Sequence, residues 1–256
     1  MIEALKDVEA FQTRRRTAWD RNVHYWLTHP LRHVVDVGDY IARRVQQLCA
    51  DSGKHRPVVL DMGCGDCWLL RKLDQFMCPV SYIGVDSTVG FLKSAAEHFG
   101  KRPHTTFIEA DLDLPTDLSL IADVVVNAFN FFELTNLPCA MQSAASWLDQ
   151  SGTLIVSTID KTYLIIALSR NWDELHENLR RYQENGSIKF DFQHIDLGDS
   201  LSPELEYPSV LYSTQDYIEA AYASNLRLKS YVEHRFTAKA IPKIYCHFEF
   251  SRETLS

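Results

Sequence analysis

Val58-Val59-Leu60-Asp61-Met62-Gly63-Cys64-Gly65-Asp66-Cys67-Trp68-Leu69-Leu70 joins a buried hydrophobic strand to a helix through an acidic, glycine-rich turn. Val58 to Leu60 have the unbroken apolar, β-branched character of a strand covered on both faces. Gly63 and Gly65 allow positive φ and let a ligand approach the backbone. From Asp66 onward the period becomes helical, with Trp68, Leu69, Leu70 and Leu73 on one face and Arg71, Lys72 and Asp74 opposite. Strand, glycine turn and helix in that order predict a nucleotide-like ligand. In the dinucleotide fingerprint, however, the third glycine comes three residues after the second, and the helix N-terminus receives a pyrophosphate. Here a carboxylate, Asp61, ends the strand, which argues against an anionic phosphate and for a ligand with cationic groups.

Working outward, Tyr82-Ile83-Gly84-Val85-Asp86 is a second apolar run ending in an acid, about 20 residues on, where a carboxylate bonds ribose hydroxyls in nucleotide-binding sheets. An amphipathic helix from Val89 to Phe99 and a third strand, Thr105 to Glu109, lead to Ala110-Asp111-Leu112. A fourth strand, Ala122 to Asn127, opens into the aromatic loop Ala128-Phe129-Asn130-Phe131-Phe132-Glu133-Leu134. A helix from about Leu137 to Leu148, a turn at Gln150-Ser151-Gly152 and a fifth strand from Thr153 to Thr158 follow. Successive strands thus end in polar or acidic turns, as expected of an open α/β sheet that binds its ligand beyond the strands' carboxyl ends.

The run from Asp61 to Cys67 resembles motif I (D/E-x-G-x-G-x-G) of the class I S-adenosylmethionine-dependent methyltransferases, with Cys67 in the third glycine's place. The resemblance covers about Pro57 to Asp160 closely and the rest by topology. It implies a Rossmann-like three-layer α/β sandwich, its seven-stranded, mostly parallel sheet ordered 3-2-1-4-5-7-6 with strand 7 antiparallel. It also implies S-adenosyl-L-methionine as cofactor. Asp61, Gly63 and Gly65 would wall its methionine side, Asp86 with Ser87 its ribose, and Asp111 its adenine amino group, with the Leu112 amide on a ring nitrogen. Asn127 and Phe129, after the fourth strand, and Tyr25, from the N-terminal segment, complete the cofactor-binding candidates.

Composition agrees with one enzyme-sized domain: 256 residues, 46% hydrophobic and 23% charged. A formal charge of -8 with pI near 5.7 argues against nucleic-acid partners. Arg14-Arg15-Arg16 is the compact basic run, read as a solvated helix face or helix end. Cys64 and Cys67 form a Cys-x-x-Cys, but no second pair has ligand spacing, so free thiols and no metal are expected. The opening Met-Ile-Glu-Ala-Leu-Lys lacks the apolar segment of a leader, and no stretch reaches the roughly 18 apolar residues of a membrane span, so a cytoplasmic protein without membrane contact is expected.

Two flanking regions should carry substrate choice. Residues 1–55 read as a helical lid, with a helix from about Glu3 to Asp20, then Trp19, Tyr25 and Trp26 near a break at His29-Pro30, and a second helix from Val34 to Cys49. The aromatics are placed to stack adenine or meet a sulfonium by cation–π attraction, or simply to pack the helices onto the sheet. After the core at 56–160, residues 161–213 form an acceptor-covering insertion: a long helix from Leu164 to Tyr182, an exposed strand from Ile188 to Asp196, and a loop from Ser202-Pro203 to Tyr207-Pro208. Residues 214–256 supply a helix, Thr214 to Ser224, and a hairpin of Leu226 to Arg235 with Ile244 to Phe250.

The cofactor's methyl group needs chiefly an aligned nucleophile, so catalysis can rest on proximity, and no general base is assigned. Phe131, Asn136, Tyr163, His176 and His194 are the catalytic candidates; Tyr207 and Tyr212 join Tyr163, His176 and His194 as pocket-lining candidates. Asn127-Ala128-Phe129-Asn130 is not the Asn/Asp-Pro-Pro-Tyr/Phe of enzymes that methylate exocyclic amines or glutamine amides. A small-molecule acceptor, in bacterial-type secondary metabolism, is therefore expected. Two alternatives stay open. Cys67 together with Phe129, Phe131 and Phe132 would suit a cofactor curled so that its own α-amine attacks the γ-carbon, giving azetidine-2-carboxylate and methylthioadenosine. A non-catalytic cofactor-binding partner protein would keep the acids and lack turnover.

Overall fold

The computed structural model describes residues 8–28, 32–131, 134–169, 171–185, 188–192, 207–236 and 243–252. Among them the chain runs α1 (Val8–Thr28), α2 (Arg32–Asp51), β1 (Val58–Met62), α3 (Trp68–Gln75), β2 (Ser81–Asp86), α4 (Val89–Phe99), β3 (Thr105–Glu109), β4 (Ala122–Ala128) and α5 (Leu137–Trp147). It continues through β5 (Leu148–Ile159), α6 (Lys161–Leu168), α7 (Trp172–Asn185), β6 (Ile188–Phe192), β7 (Tyr207–Leu211), α8 (Thr214–Ala223), β8 (Leu226–Phe236) and β9 (Lys243–Arg252). No helix among the described residues is long and apolar enough to cross a membrane.

The main sheet has the order β3-β2-β1-β4-β5-β9-β8. The ladders from β3 to β5 are parallel, and β9 is antiparallel to both neighbours. With β8 and β9 as the sheet's sixth and seventh strands, this is the expected Rossmann-like order. All seven residues of β4 are buried, as a central strand covered on both faces requires. Leu60, Met62, Val125, Leu154 and Val156 pack toward Met141 and Trp147 of α5 and Tyr217 of α8. On the other face Val59, Val124, Val126 and Ile155 lie under Val37, Ile41 and Val45 of α2 and Leu69, Leu70 and Leu73 of α3. Each such side chain contributes about 1.5–3 kcal/mol by leaving water. The last two strands take their places by the same rule. Tyr245, Cys246, His247, Phe248 and Phe250 bury both faces of β9, whereas Lys229, Glu233 and Arg235 stay exposed on β8, which suits an edge.

Several boundaries differ from the sequence reading. Helix α1 continues past Asp20 to Thr28, because no glycine or proline interrupts that stretch, so Trp19, Tyr25 and Trp26 lie within the helix. The break at His29-Pro30 lies outside the described residues. The expected turn at Gln150-Ser151-Gly152 is a bulge inside β5: Ala122 pairs with Leu148 and Val124 with Thr153, leaving four residues to loop outward. A Cβ at Gly152 would meet the Asp123 carbonyl at 2.9 Å, so only glycine closes the bulge there.

The expected long helix from Leu164 to Tyr182 is two helices. Asp160 caps α6 by accepting from the Tyr163 amide at 2.9 Å, and Asn171 accepts from the Glu174 amide at 2.9 Å at the start of α7. Between them the Ser169 hydroxyl donates to the Ile165 carbonyl at 2.7 Å and accepts from Asn178 at 3.0 Å. Tyr207-Pro208, expected in a loop, begins β7, which pairs with β6 in a two-stranded ribbon where proline costs no ladder bond. The expected continuation of β6 over Gln193 to Asp196 lies outside the described residues.

Candidate cofactor-binding site

The turn after β1 is tied to β2 by its own backbone. The Gly63 and Cys64 amides both donate to the Val85 carbonyl, at 2.7 and 3.0 Å. Gly63, Gly65 and Cys67 all have left-handed backbone, with φ of 74°, 48° and 58°. Cys67 thus takes a backbone conformation that favours glycine, at a strain of about 1–2 kcal/mol. Its amide donates to the Cys64 carbonyl at 2.8 Å, and its own carbonyl receives the Arg71 amide at 3.1 Å, opening α3. The thiol is fully buried in the α2/α3 side of the core, against that of Cys64. Cys67 therefore turns into the protein, and the expectation that it reshapes the cofactor's pose loses its geometric basis.

The two glycines serve different ends. A Cβ at Gly65 would meet nothing within 4 Å, so this is the open position of the turn. A Cβ at Gly63 would fall 2.5–2.8 Å from Asn130, so its missing side chain makes room for the loop after β4 rather than for a ligand. Asn130 was absent from the sequence candidates, since nothing local marks a contact across that distance in the chain.

Asp61 and Asp86 stand at the ends of β1 and β2. Asp61 is almost wholly buried and accepts a hydrogen bond from the Tyr82 hydroxyl at 2.5 Å. Burial pushes its carboxyl up to about 7, against the lowering effect of Tyr82 and with a further push from Asp86. Asp86 accepts from the Gly65 amide at 2.9 Å and the Thr88 amide at 2.8 Å. Burial raises its pKa, and those two amides oppose the rise. Asp86 therefore fixes the glycine turn and the start of α4 with two of its roughly four acceptor positions, leaving acceptor capacity for a ribose. Ser87, between Asp86 and the residue that precedes α4, is half-buried.

The turn after β3 is bound to the N-terminal helix. Arg15, buried in α1, donates to Asp111 Oδ1 at 3.0 Å and to Asp113 Oδ2 at 2.8 Å, and Arg16 lies 3.5 Å from Asp111 Oδ2. Arg15 and Arg16 are thus paired with acids, and the expected solvated face does not describe Arg15. Asp113, missed in the sequence, accepts through Oδ1 from the amides of Thr135 at 2.7 Å and Asn136 at 2.9 Å. Leu112 is buried with the core on the α5 side.

After β4, Asn127 is fully buried: Nδ2 donates to the Met62 carbonyl at 3.0 Å and Oδ1 accepts from the Phe131 amide at 3.0 Å. The side chain braces the β1 and β4 ends against each other. Phe129 has φ of 65°, donates its amide to the Ser157 carbonyl at 2.8 Å, and meets Tyr245 edge-on at 5.8 Å. Phe131 is core, packed with α5. Asn136 is exposed and caps α5, accepting from the Cys139 amide at 3.2 Å. Tyr163 is half-buried on α6, His176 is exposed on α7 beside Trp172, and Tyr212 donates to the Leu134 carbonyl at 2.8 Å. His194 and Phe132 lie outside the described residues. Tyr25 packs on Trp26 at 5.0 Å, and Trp19 reaches Phe91 of α4 at 5.9 Å, so these rings dock α1 onto α4.

The structure therefore gathers Asp61, Gly63, Gly65, Asp86 and Asn127 around one turn, with Asp111 beside it under α1. It disperses Phe131, Asn136 and His176 into packing, capping and surface positions. A further polar pair joins β5 to β9: Ser157 Oγ lies 2.9 Å from His247 Nδ1, with Tyr40 against the imidazole at 4.8 Å. Burial pushes His247 down to about 3. Among the described residues no group of three or more His, Cys, Asp or Glu side chains is arranged to hold a metal.

Residues 59–152 match a family described as methyltransferase domain. No curated protein matches the sequence significantly. Among solved structures, an S-adenosylmethionine-dependent methyltransferase from Clostridium acetobutylicum ATCC 824 is 12% identical with a TM-score of 0.65, over 92% of this chain and 99% of that one. The magnesium protoporphyrin IX methyltransferase of Synechocystis PCC 6803, with bound SAH, is 14% identical with a TM-score of 0.62, over 94% and 100%. The CcbJ methyltransferase of Streptomyces caelestis is 16% identical with a TM-score of 0.60, over 94% and 99%. Likeness at these identities is a likeness of fold.

Proposed function

We propose that this chain, which carries a methyltransferase-domain sequence over residues 59–152 and the class I methyltransferase fold over most of its length, uses S-adenosyl-L-methionine to methylate a small molecule. The observation that carries the reading is Asp61. A buried carboxylate at the strand end, raised by desolvation, is costly to ionise, and a ligand ammonium or sulfonium beside it would offset that cost. Gly65 leaves its side of the turn open, and Asp86 holds the turn by the Gly65 amide. The residues present thus fit the cofactor. When bound, it supplies an electrophilic methyl group on a sulfonium. The chain's own part is to bind and orient, with α1 roofing the site between α4 and β7.

For the acceptor, a net charge of -8 and the commitment of Arg15 to acids speak against a polyanion. Relatives by fold include the magnesium protoporphyrin IX enzyme, which supports a small molecule by analogy only. Intramolecular cyclisation loses two of its supports, since Cys67 faces the core and Phe129 and Phe131 are packed in it. Incubation with S-adenosylmethionine, alone and with an acceptor panel, separates the readings. S-adenosylhomocysteine formed only with an acceptor supports methyl transfer; methylthioadenosine with a cyclic amino acid marks cyclisation; binding without product marks a non-catalytic protein. Asp86→Ala should weaken S-adenosylhomocysteine binding by more than about tenfold. Unchanged affinity would remove Asp86 from the site.

A further inference from the structure

On a helix, three consecutive arginines point about 100° apart, so no one surface receives Arg14, Arg15 and Arg16 together. Arg15 is the one turned inward, only 3% exposed, with its guanidinium between Asp111 and Asp113 at 3.0 and 2.8 Å. A buried ion triad is a poor source of net stability, because desolvation offsets the Coulomb gain; what it fixes well is geometry. Here it fixes three chain segments. Asp113 Oδ1 receives the Thr135 and Asn136 amides ahead of α5, and Gln12, one turn before Arg15 in α1, donates to the Thr135 hydroxyl at 2.9 Å. Asp111 Oδ1 also receives the Asp113 amide at 3.1 Å, closing a tight turn with the Leu112 peptide inside it.

We infer that Arg15 is a positioning residue for the adenine end of the cofactor: it holds the Asp111 carboxylate and the Leu112 peptide in place and couples them to the docking of α1. This rests on the cofactor reading above. Arg15 touches the recognising turn, not the cofactor, and its planar fork spans two carboxylates in a way a lysine ammonium does not.

The test uses the full chain, titrated calorimetrically with S-adenosylhomocysteine and with adenosine, which has the adenine and ribose but no amino-acid tail. Arg15→Lys and Arg15→Gln should weaken both ligands by a similar factor, about tenfold. Asp61→Asn should weaken S-adenosylhomocysteine and leave adenosine unchanged. Arg15 variants that melt lower but bind adenosine as wild type does would overturn the inference, since that is the behaviour of a structural ion pair. Should both variants unfold, hydrogen exchange on the wild-type protein decides: adenosine should protect the amides of 111–113 and of α1 together, and protection confined to 111–113 overturns the coupling. A wild-type protein that binds neither ligand refutes the cofactor reading itself.

Discussion

If Asp61 meets the cofactor's ammonium as proposed, cofactor affinity should rise with pH. The Asp61 carboxyl is pushed up to about 7 by burial, so in the free protein at pH 6 only about one molecule in ten carries the charge that a ligand ammonium would meet. A ligand that favours the ionised form must first remove the proton. Affinity should therefore rise about tenfold per pH unit up to about pH 7 and level off above, giving roughly a tenfold difference between pH 6 and pH 8. S-adenosylhomocysteine suits the assay, because its ammonium stays charged throughout this range. Calorimetry at pH 6 in two buffers of different ionisation enthalpy should show nearly one proton released per ligand bound. Asp61→Asn should flatten the profile at about the affinity of the protonated wild type, while Tyr82→Phe, which removes a donor to the charged form, should move the wild-type profile to higher pH. The reasoning fails if wild-type affinity does not change between about pH 6 and 8, or if Asp61→Asn keeps the slope.

The glycines of the turn should separate stability from binding: Gly63→Ala, with φ of 74° and Asn130 at 2.5 Å, should cost about 2 kcal/mol or more in chemical denaturation and be partly rescued by Asn130→Ala. Gly65→Ala, which meets no atom, should cost only the backbone strain of about 1 kcal/mol while weakening S-adenosylhomocysteine binding; equal stability losses at the two positions would contradict this. Cys67→Gly should leave that affinity within about twofold, since strain relief and a lost buried thiol nearly cancel in stability and neither faces the ligand; a larger shift in affinity would return Cys67 to the cofactor's surroundings. His247, pushed down by burial to about 3 from the ordinary imidazole value of 6.5, favours the folded state when neutral, so its contribution is whole above about pH 6.5 and is lost as pH falls. Asp61, raised from 3.8, contributes in the opposite sense, whole below its unfolded value and lost as pH rises toward about 7. Between those limits the two slopes offset each other, so Asp61→Asn should expose an acid loss of about 2 kcal/mol between pH 6.5 and 5, and adding His247→Asn should remove it.

What could be read from the sequence and what could not divides by the range of the interaction. The central parallel strands β1, β2 and β4 announced themselves by apolar runs, and β1 and β2 their ligand edge by the acid ending the run, because burial and a polar crevice at the carboxyl end are properties of a few consecutive residues. Even the break between α6 and α7 was written locally, in Asn171 three residues before Glu174, and was obscured by the apolar period running from α6 toward α7. The inversion of the last two strands was not legible in the residues themselves, which give a hairpin but not the placing of its last strand between the fifth and sixth; the order came from the family resemblance, and the structure has it. The pairings that shape the site are of another kind. Arg15 meets Asp113 across 98 positions, and Asn130 fills the space that Gly63 leaves. No local pattern separates a buried arginine from a solvated one, or a glycine kept for a ligand from one kept for a side chain. Cys67 shows the limit most clearly. The motif demands a left-handed residue there, the backbone supplies it at φ of 58°, and the side chain that looked like the departure from the family is directed into the core. The contacts that shape the turns come instead from Asn130, against Gly63, and from Arg15, behind the acid that the resemblance assigns to adenine.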